Sequence, residues 1–310
     1  MQPVAFSLPA EVAERHGIEP ADDLEGFFDT IEFCLMAAGG FLIDRSESLN
    51  QVSDRFRELA DRAEAASVRL YPFSVGGSGL GRKTNLREGI DCLWQRQLCG
   101  ESLVRLPKDV SLVRSLGGKA RYLPDLLWCS AETLGISEKP RDSRPRAKLG
   151  VNLLTSAVDS DFLEEITADV PEGLELHFFT AHANQEASGE ILPPLETEQV
   201  RRFRHRDPVE LLEFLGGLDG IVSCKLHAGF TGLSLGTPFF SSQGKSKTRR
   251  QLEMLDARLI RDDTRALFSE IFRDPASLSS VRLPRRKIRR FCRRARRHRT
   301  WLERFLDRRR

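Results

Sequence analysis

The sequence predicts an α/β protein made of two doubly wound, Rossmann-like domains followed by a basic helical tail. Strand-like runs of β-branched and apolar residues alternate with amphipathic helical patterns along the chain, and this alternation favours parallel sheets covered by helices. A polar, proline-containing stretch over 137–148 is typical of a linker. The last 29 residues differ from the rest in charge. We therefore predict domains over 1–140 and 148–275 and a tail over 282–310.

The first domain contains three strand-like runs separated by longer polar, amphipathic stretches. Each strand candidate is short and apolar, and each helix candidate has the spacing of one buried face. The predicted strands span 30–36, 67–74 and 101–106, and the predicted helices span 46–66 and 85–98.

The second domain shows the same alternation of strand-like and helical segments more regularly. In open α/β sheets, ligands bind beyond the carboxyl ends of the strands, so binding residues should follow strands and face a cleft between the domains. Two doubly wound domains joined by a linker correspond to a GT-B-like architecture. The predicted strands span 149–154, 174–180, 200–205, 220–226 and 237–241, and the predicted helices span 159–169, 208–216, 228–235 and 248–259.

Composition favours a globular protein inside the cell. The apolar share is 40%, which suffices for a hydrophobic core. The first residues lack a basic start followed by an apolar stretch, and the chain has no apolar run of about 18 residues. The six cysteines form no Cys-x-x-Cys pair, so we expect free thiols in a reducing compartment and neither a disulfide framework nor a metal site. These features together predict a cytoplasmic location.

The segment 219–255 carries the most specific motif. It reads DGIVSCKLHAGFTGLSLGTPFFSSQGKSKTRRQLEML: a strand ending at Lys225 and His227, a helix rich in small residues, a Gly-Thr-Pro sequence at 236–238, and a loop with Lys247. This order and spacing resemble the signature of the polysaccharide pyruvyl transferase family. The family usually has Arg where this chain has Lys225.

Earlier segments resemble the same family less closely. The run 28–44 resembles its strand followed by a glycine turn, and 70–81 resembles the next strand and glycine loop. The stretch 103–128 resembles the part that carries an Arg-Asp…Ser motif and a Pro-Asp pair, with Arg105 and Asp125 as equivalents. The Gly-Asn-x-Gly-Asp loop with which the family usually opens does not precede Phe28.

The resemblance implies a transferase that moves a pyruvyl group from phosphoenolpyruvate to a sugar of a surface polysaccharide or exopolysaccharide, forming a pyruvate ketal without a metal or cofactor. Histidine can donate or accept a proton near neutral pH, and His227 would be the catalytic acid or base. Arginine and lysine suit the donor's carboxylate and phosphate. Glycine turns would let the backbone approach a ligand. The substrate-binding residues on this interpretation are Arg105, Lys225, Lys245, Lys247, Gly39, Gly40 and Gly77.

Each of these residues also has an ordinary structural interpretation. His227 suits the start of a helix as a capping or core residue, Arg105 and Lys247 could be solvated cations, and the glycines could simply form tight turns. At the level of function, two alternatives remain open. One is a GT-B glycosyltransferase that uses a nucleotide sugar, and the other is a non-catalytic relative with a decayed site.

The tail combines high positive charge with a narrow apolar stripe. Residues 282–310 contain 15 Lys or Arg and two acidic residues, whereas the rest of the chain is net acidic. Such a helix can lie on anionic lipid, which would suit a lipid-linked saccharide acceptor at the inner face of the membrane. Nucleic acid is a less favoured partner because no base-reading motif accompanies the arginines. A helix packed on the acidic body is the third option. The stripe comprises Ile288, Phe291, Cys292, Ala295, Leu302, Phe305 and Leu306.

Overall fold

The computed structural model divides the chain into two compact units. The first contains Met1–Asp125 and Arg297–Arg310, and the second contains Leu126–Arg296. The division falls after Asp125, ahead of the predicted linker, and the predicted tail is split between the units after Arg296. The structure describes residues 4–6, 14–15, 17–21, 23–37, 39–42, 52–77, 86, 89–136, 146–156, 158–181, 189–205, 207–244, 246–279 and 281–309.

The first unit is built on short parallel strands. β3 pairs with β4 and β5 pairs with β6, both in parallel, and single parallel bridges join Leu70 to Cys99 and Val75 to Val104. The carboxyl ends of these strands therefore point to one edge. In chain order the elements are β1 Val4–Phe6, β2 Glu19–Ala21, α1 Leu24–Thr30, β3 Phe33–Met36, α2 Val52–Ala65, β4 Arg69–Pro72, α3 Cys92–Gln95, β5 Ser102–Val104, α4 Pro107–Ser115 and β6 Ala120–Tyr122.

The second unit is a doubly wound sheet of six strands. Their order is β12-β11-β10-β7-β8-β9, every neighbouring pair is parallel, and the chain therefore winds outward in both directions from β7 and β10. Its elements are a 3-10 turn at Leu126–Cys129, α5 Ser130–Thr133, β7 Ala147–Asn152, α6 Ser160–Ala168, β8 Leu174–Phe179, β9 Val200–Phe203, α7 Pro208–Gly216, β10 Gly220–Ser223, α8 Leu226–Ser234, β11 Phe239–Ser242, α9 Ser246–Leu255, β12 Ile260–Arg261, α10 Thr264–Arg273 and α11 Arg285–Ala295.

Local sequence explains where the helices of the second unit begin. Asp159 caps α6 by accepting from Phe162 N at 2.7 Å. Asp207 caps α7, which begins with a proline, and Asp263 caps α10. Caps of this kind stabilise a helix by about 1 kcal/mol. The predicted α/β fold is confirmed, and the five strands predicted for this half all form.

The basic tail forms two helices, and its apolar stripe packs against the protein itself. In the second unit, Ile288 and Ala295 on α11 are buried, and the ring centroids of Phe291 and Trp128 lie 5.2 Å apart. In the first unit, helix α12 Arg297–Asp307 places Phe305 against Tyr71 at 4.5 Å. Within the described ranges, no helix is both long and apolar enough to cross a bilayer.

Candidate functional site

The centre of the six-stranded sheet is the point where ligands bind in folds of this topology. The chain order reverses between β7 and β10, which lie side by side with Asn152 paired to Ser223 in the register. A crevice outside the carboxyl ends of two such strands is the usual ligand site of open α/β sheets. Both side chains are buried at this edge. The candidate site is therefore built around the ends of β7 and β10.

A buried polar network fixes this edge. Asn152 donates from Nδ2 to Glu190 Oε1 at 2.8 Å and to the Phe179 carbonyl at 2.9 Å. Ser223 Oγ donates to Asn152 Oδ1 at 2.8 Å, and the backbone N–H of Ala181 donates to Glu190 Oε1 at 2.9 Å. Buried polar groups that are bonded in this way rigidify their surroundings. The network joins the ends of β7, β8 and β10 and places a buried carboxylate among them.

Helix α8 begins next to this network. The backbone N–H of Lys225, the N-cap residue of α8, donates to Ser223 Oγ at 2.9 Å. No side chain caps the helix at Lys225. The first N–H groups of a helix have no partner inside it, and with the helix dipole they attract anions. Lys225 is half-buried and His227 is exposed on the first turn. The structure therefore brings both predicted residues to an anion-attracting helix start.

The small residues of α8 explain how its start is held in place. A Cβ at Gly229 would lie 2.1 Å from Phe239 Cε1, and one at Gly232 would lie 2.3 Å from Ile221 Cδ1. The helix consequently packs directly on β10 and β11 and is almost entirely buried. The small-residue pattern noted in the sequence thus allows close helix–sheet contact, which positions His227 on a rigid element.

Lys247 occupies the same position on the next helix, α9, that His227 occupies on α8. It is the second residue of α9 and half-buried, and α9 follows β11, which pairs in parallel with β10. Helices that follow adjacent parallel strands begin at the same edge of the sheet. Lys225, His227 and Lys247 therefore share one edge. Lys245 lies outside the described residues.

A cavity of about 750 Å³ lies at the same edge, within the size range of small-molecule sites. Its lining is rich in carboxylates and hydroxyls. Asp159 and Arg265 form an ion pair at 3.1 Å, and the Arg265 guanidinium lies 4.8 Å from the centroid of Phe162. Such a lining suits the hydroxyl groups of a saccharide. The other lining residues are Thr155, Ser156, Val158, Gln243, Asp262, Asp263 and Thr264.

The guanidinium group of Arg105 in the first unit binds other residues of the protein. Its Nη1 lies 2.6 Å from Asp125 Oδ2, and its Nη2 donates to the Gly39 carbonyl at 3.0 Å. The Arg105 side chain is only 1% exposed. The carboxylate that Arg105 binds is therefore that of Asp125. Through these contacts Arg105 connects the segment after β3, which contains Gly39 and Gly40, to the segment after β6.

Asp109 lies in the same buried cluster. Burial raises the pKa of its carboxyl from 3.8 to about 7, against the opposing effects of the Arg105 charge and the backbone N–H groups of Gly77 and Leu106. Because Asp125 already neutralises Arg105, a second carboxylate there would add an uncompensated charge. We therefore infer that Asp109 is largely protonated below neutral pH.

This shift predicts a pH-dependent stability that Asp109→Asn should remove. The folded-state pKa is raised, so the contribution of Asp109 is fully present below about pH 4 and is lost as the pH rises through about 7. Relative to the wild type, the variant should gain a few kcal/mol of unfolding free energy between about pH 4 and about pH 8. Urea unfolding across this range tests it, with the exposed Asp29→Asn as control. Parallel profiles for the wild type and Asp109→Asn would contradict the inference.

Gly77 permits a close approach of two backbone segments. It forms a parallel bridge with Leu42, and a Cβ there would lie 1.5 Å from the Leu42 carbonyl oxygen. The contact is with backbone, which cannot move aside as a flexible side chain can. Gly77 thus has a structural role, which is the alternative to ligand approach at this glycine.

We expect Gly77→Ala to destabilise the first unit by about 3 kcal/mol or more, because overpacking against the Leu42 backbone forces apart the segments that follow β3 and β4. The matched control is Gly173→Ala, since a Cβ at Gly173 meets nothing within 4 Å. Thermal unfolding of both variants measures the difference. Equal melting temperatures for the two would show that the Leu42 contact is not tight.

Sequence reasoning missed the network of Asn152, Glu190 and Ser223. The one local signal was a polar residue at the end of an apolar strand, which Asn152 provides. Glu190 carried no signal, because it lies 38 residues from Asn152 in the sequence and meets it only through the fold.

Comparison with known proteins identifies the fold but no family. The sequence matches no family model and no curated protein. Among solved structures, the chain is similar to HepE of Anabaena in complex with UDP-glucose, with a TM-score of 0.53 and 10% identity over 95% of this chain and 87% of that one. It is also similar to a UDP-GlcNAc 2-epimerase from Neisseria meningitidis bound to UDP-GlcNAc, with a TM-score of 0.53 and 12% identity over 99% and 91%. With its doubly wound second unit, the chain has a GT-B-like α/β fold.

Proposed function

We propose that this protein is a GT-B-like transferase that moves a pyruvyl group from phosphoenolpyruvate to a saccharide and forms a pyruvate ketal. The observation that carries the proposal is the placement of His227, exposed on the first turn of α8 with Lys225 as its N-cap residue. Lys247 begins the next helix at the same sheet edge. These are the residues of the segment that resembles the polysaccharide pyruvyl transferases.

The negative charges of phosphoenolpyruvate are complementary to the positive groups at this edge of the sheet. Phosphoenolpyruvate carries a carboxylate and a phosphate, and the start of α8 offers backbone N–H groups while the two lysines offer point charges. The half-buried state of Lys225 and Lys247 strengthens their attraction for an anion, because low dielectric reduces screening. Phosphate and carboxylate would therefore be held by Lys225, Lys247 and the helix start.

The reaction delivers one proton to carbon and one to the departing phosphate, and it removes one proton from each of the two attacking hydroxyls. Protonation of the donor's methylene carbon by His227 would give an oxocarbenium-like centre at C2, to which a sugar hydroxyl adds. Release of phosphate breaks the C2–O bond, and a second hydroxyl of the sugar adds at C2 to close the ketal. Histidine can donate the proton in one step and accept a hydroxyl proton in the next. The products are the ketal and inorganic phosphate.

The cavity beside the carboxyl edge supports a saccharide acceptor. Its lining contains Asp159, Asp262 and Asp263 together with the hydroxyls of Thr155 and Ser156. Carboxylates accept hydrogen bonds from sugar hydroxyls, and the serine and threonine hydroxyls can both donate to them and accept from them. An acceptor sugar bound here would lie at the same sheet edge as His227, and we propose that it is part of a surface polysaccharide or exopolysaccharide.

A nucleotide-sugar glycosyltransferase is the second candidate. The solved structures similar to this chain include HepE with UDP-glucose and an epimerase with UDP-GlcNAc, which supports a nucleotide-sugar donor. Glu190, buried beside Asn152, is an acceptor for hydroxyl groups. The two candidates differ in the donor, so donor binding separates them.

The deciding experiment measures which donor the purified protein binds and consumes. We expect calorimetric binding of phosphoenolpyruvate and release of phosphate that depends on added saccharide acceptors. Binding of UDP-glucose or UDP-GlcNAc without binding of phosphoenolpyruvate would overturn the pyruvyl-transfer proposal in favour of the second candidate. Absence of binding for every donor would favour a non-catalytic relative.

A further inference from the structure

Helix α12 covers one face of the first unit with its aromatic side chains. Phe305 packs against Phe33 with ring centroids 4.8 Å apart and stacks on Trp301 at 5.1 Å. Trp301 lies 5.8 Å from the Phe73 ring, and its Nε1 donates to Glu101 Oε2 at 2.9 Å. The apolar side of the helix is therefore used by the fold, and the opposite side is left to its arginines.

A groove of about 790 Å³ runs along this helix. Arg297 and Arg304 lie seven residues apart on α12 and hence on one face, and Arg308 directly follows the end of the helix at Asp307. Arg121 on β6 forms the facing wall. Glu101 is the one carboxylate in the lining, and it is shared between Arg121 at 3.0 Å and Trp301.

Three of the arginines that line the groove lack an ion-pair partner among the described residues. Arg297, Arg304 and Arg308 form no ion pair with any residue in the part of the chain that the structure describes, and all three are exposed. Clustered guanidinium groups repel one another, and this repulsion is relieved when an anion binds among them. Arginine is also the side chain best suited to bidentate recognition of phosphate oxygens.

We propose that this groove is a second binding site that takes clustered phosphates, such as a diphosphate group or the headgroups of an anionic phospholipid surface. Arg304 lies on the last turn of α12 and Arg308 directly follows the helix, and both line the groove, so neighbouring phosphates can each meet a guanidinium. None of the groove residues belongs to the site around α8. The groove site therefore stands independently of the proposed transferase activity.

The geometry favours phosphates over single-stranded nucleic acid. Binding of single strands relies on aromatic side chains on which bases stack. The three aromatic side chains that line this groove pack on one another, because Trp301 stacks on Phe305 at an interplanar angle of 7° and Phe305 also contacts Tyr71. The groove thus offers charge and little free aromatic surface.

The test uses the full-length protein and inorganic pyrophosphate as the probe. We expect Arg304→Gln/Arg308→Gln to weaken calorimetric binding of pyrophosphate by about 10- to 100-fold, the loss of one or two charge-assisted hydrogen bonds. The control is Arg290→Gln/Arg293→Gln on α11, which removes the same charge at exposed positions outside the groove. This control should stay within about twofold of the wild type, since distant exposed charges are screened.

A second arm distinguishes the source of the phosphates. Binding to a lipid surface is measured by cosedimentation with vesicles of phosphatidylcholine alone and of phosphatidylcholine with phosphatidylglycerol. Arg304→Gln/Arg308→Gln should lose the binding that the wild type shows, whether to pyrophosphate or to the anionic vesicles. Equal losses for both double variants would overturn the proposal in favour of non-specific charge attraction. Absence of binding to both probes would also overturn it, as would binding confined to a single-stranded oligonucleotide.

Discussion

Replacing His227 by alanine is expected to lower acceptor-dependent release of phosphate from phosphoenolpyruvate by about 10²- to 10⁴-fold, the usual contribution of a general acid or base. Binding of phosphoenolpyruvate should change little, because the anion is held by lysines and by the start of α8 in this scheme. His227 is exposed on a helix whose other residues form the packing contacts. Its removal should therefore leave the fold intact.

This prediction is measured by steady-state kinetics together with calorimetry and thermal unfolding. The loss should appear in kcat with the affinity for phosphoenolpyruvate preserved, which is the pattern of an interaction made only in the transition state. Lys225→Arg is the matched control, since it changes a residue two positions away and keeps the charge. Unchanged kcat in His227→Ala would remove His227 from the proton-transfer role.

The second unit was predictable because its strands are continuous apolar runs with helices between them. Among the strands of this unit, the difference in extent is largest for β10, which was predicted over 220–226 and ends at Ser223. Leu226 extends the apolar run, but it is the first residue of α8 and buried there. Hydrophobicity reports burial and not backbone conformation, so it does not locate a boundary between a buried strand and a buried helix.

The first unit was less predictable because several of its elements are very short. The sequence interpretation did not include β6, which has three residues, or α4, which begins at Pro107. A three-residue strand gives no periodicity to detect. The proline at the first helical position is a recognised start signal, and it was the local feature from which α4 could have been identified.

The candidate site was predictable only where its residues are close in sequence. Lys225 and His227 belong to one motif, whereas the hydrogen bond from Ser223 to Asn152 spans 71 residues and the bond from Asn152 to Glu190 spans 38. Such contacts depend on the order of strands in the sheet. The tail shows the same limit, since its single apolar stripe is divided between α11 and α12, and each half is covered by its own unit.

Arg105→Met is expected to destabilise the first unit by about 3 to 5 kcal/mol. The substitution removes the cation that pairs with Asp125 at 2.6 Å and leaves a buried carboxylate without a counter-charge. It also removes the charge that opposes the raised pKa of Asp109, so Asp109 should remain protonated to a higher pH. Breaking one side of a buried ion pair costs more than replacing both sides with uncharged groups.

The double variant Arg105→Met/Asp125→Leu should therefore recover part of the stability that Arg105→Met loses. Urea unfolding monitored by tryptophan fluorescence measures both variants, with Trp94 and Trp301 reporting from the first unit and Trp128 from the second. The same proteins separate the two roles considered for Arg105. A ligand clamp predicts a stable Arg105→Met with weakened binding of phosphoenolpyruvate, because an arginine reserved for substrate contributes little to the fold. A structural clamp predicts lost stability that the second substitution partly restores, and the contacts of Arg105 with Asp125 and the Gly39 carbonyl favour this outcome.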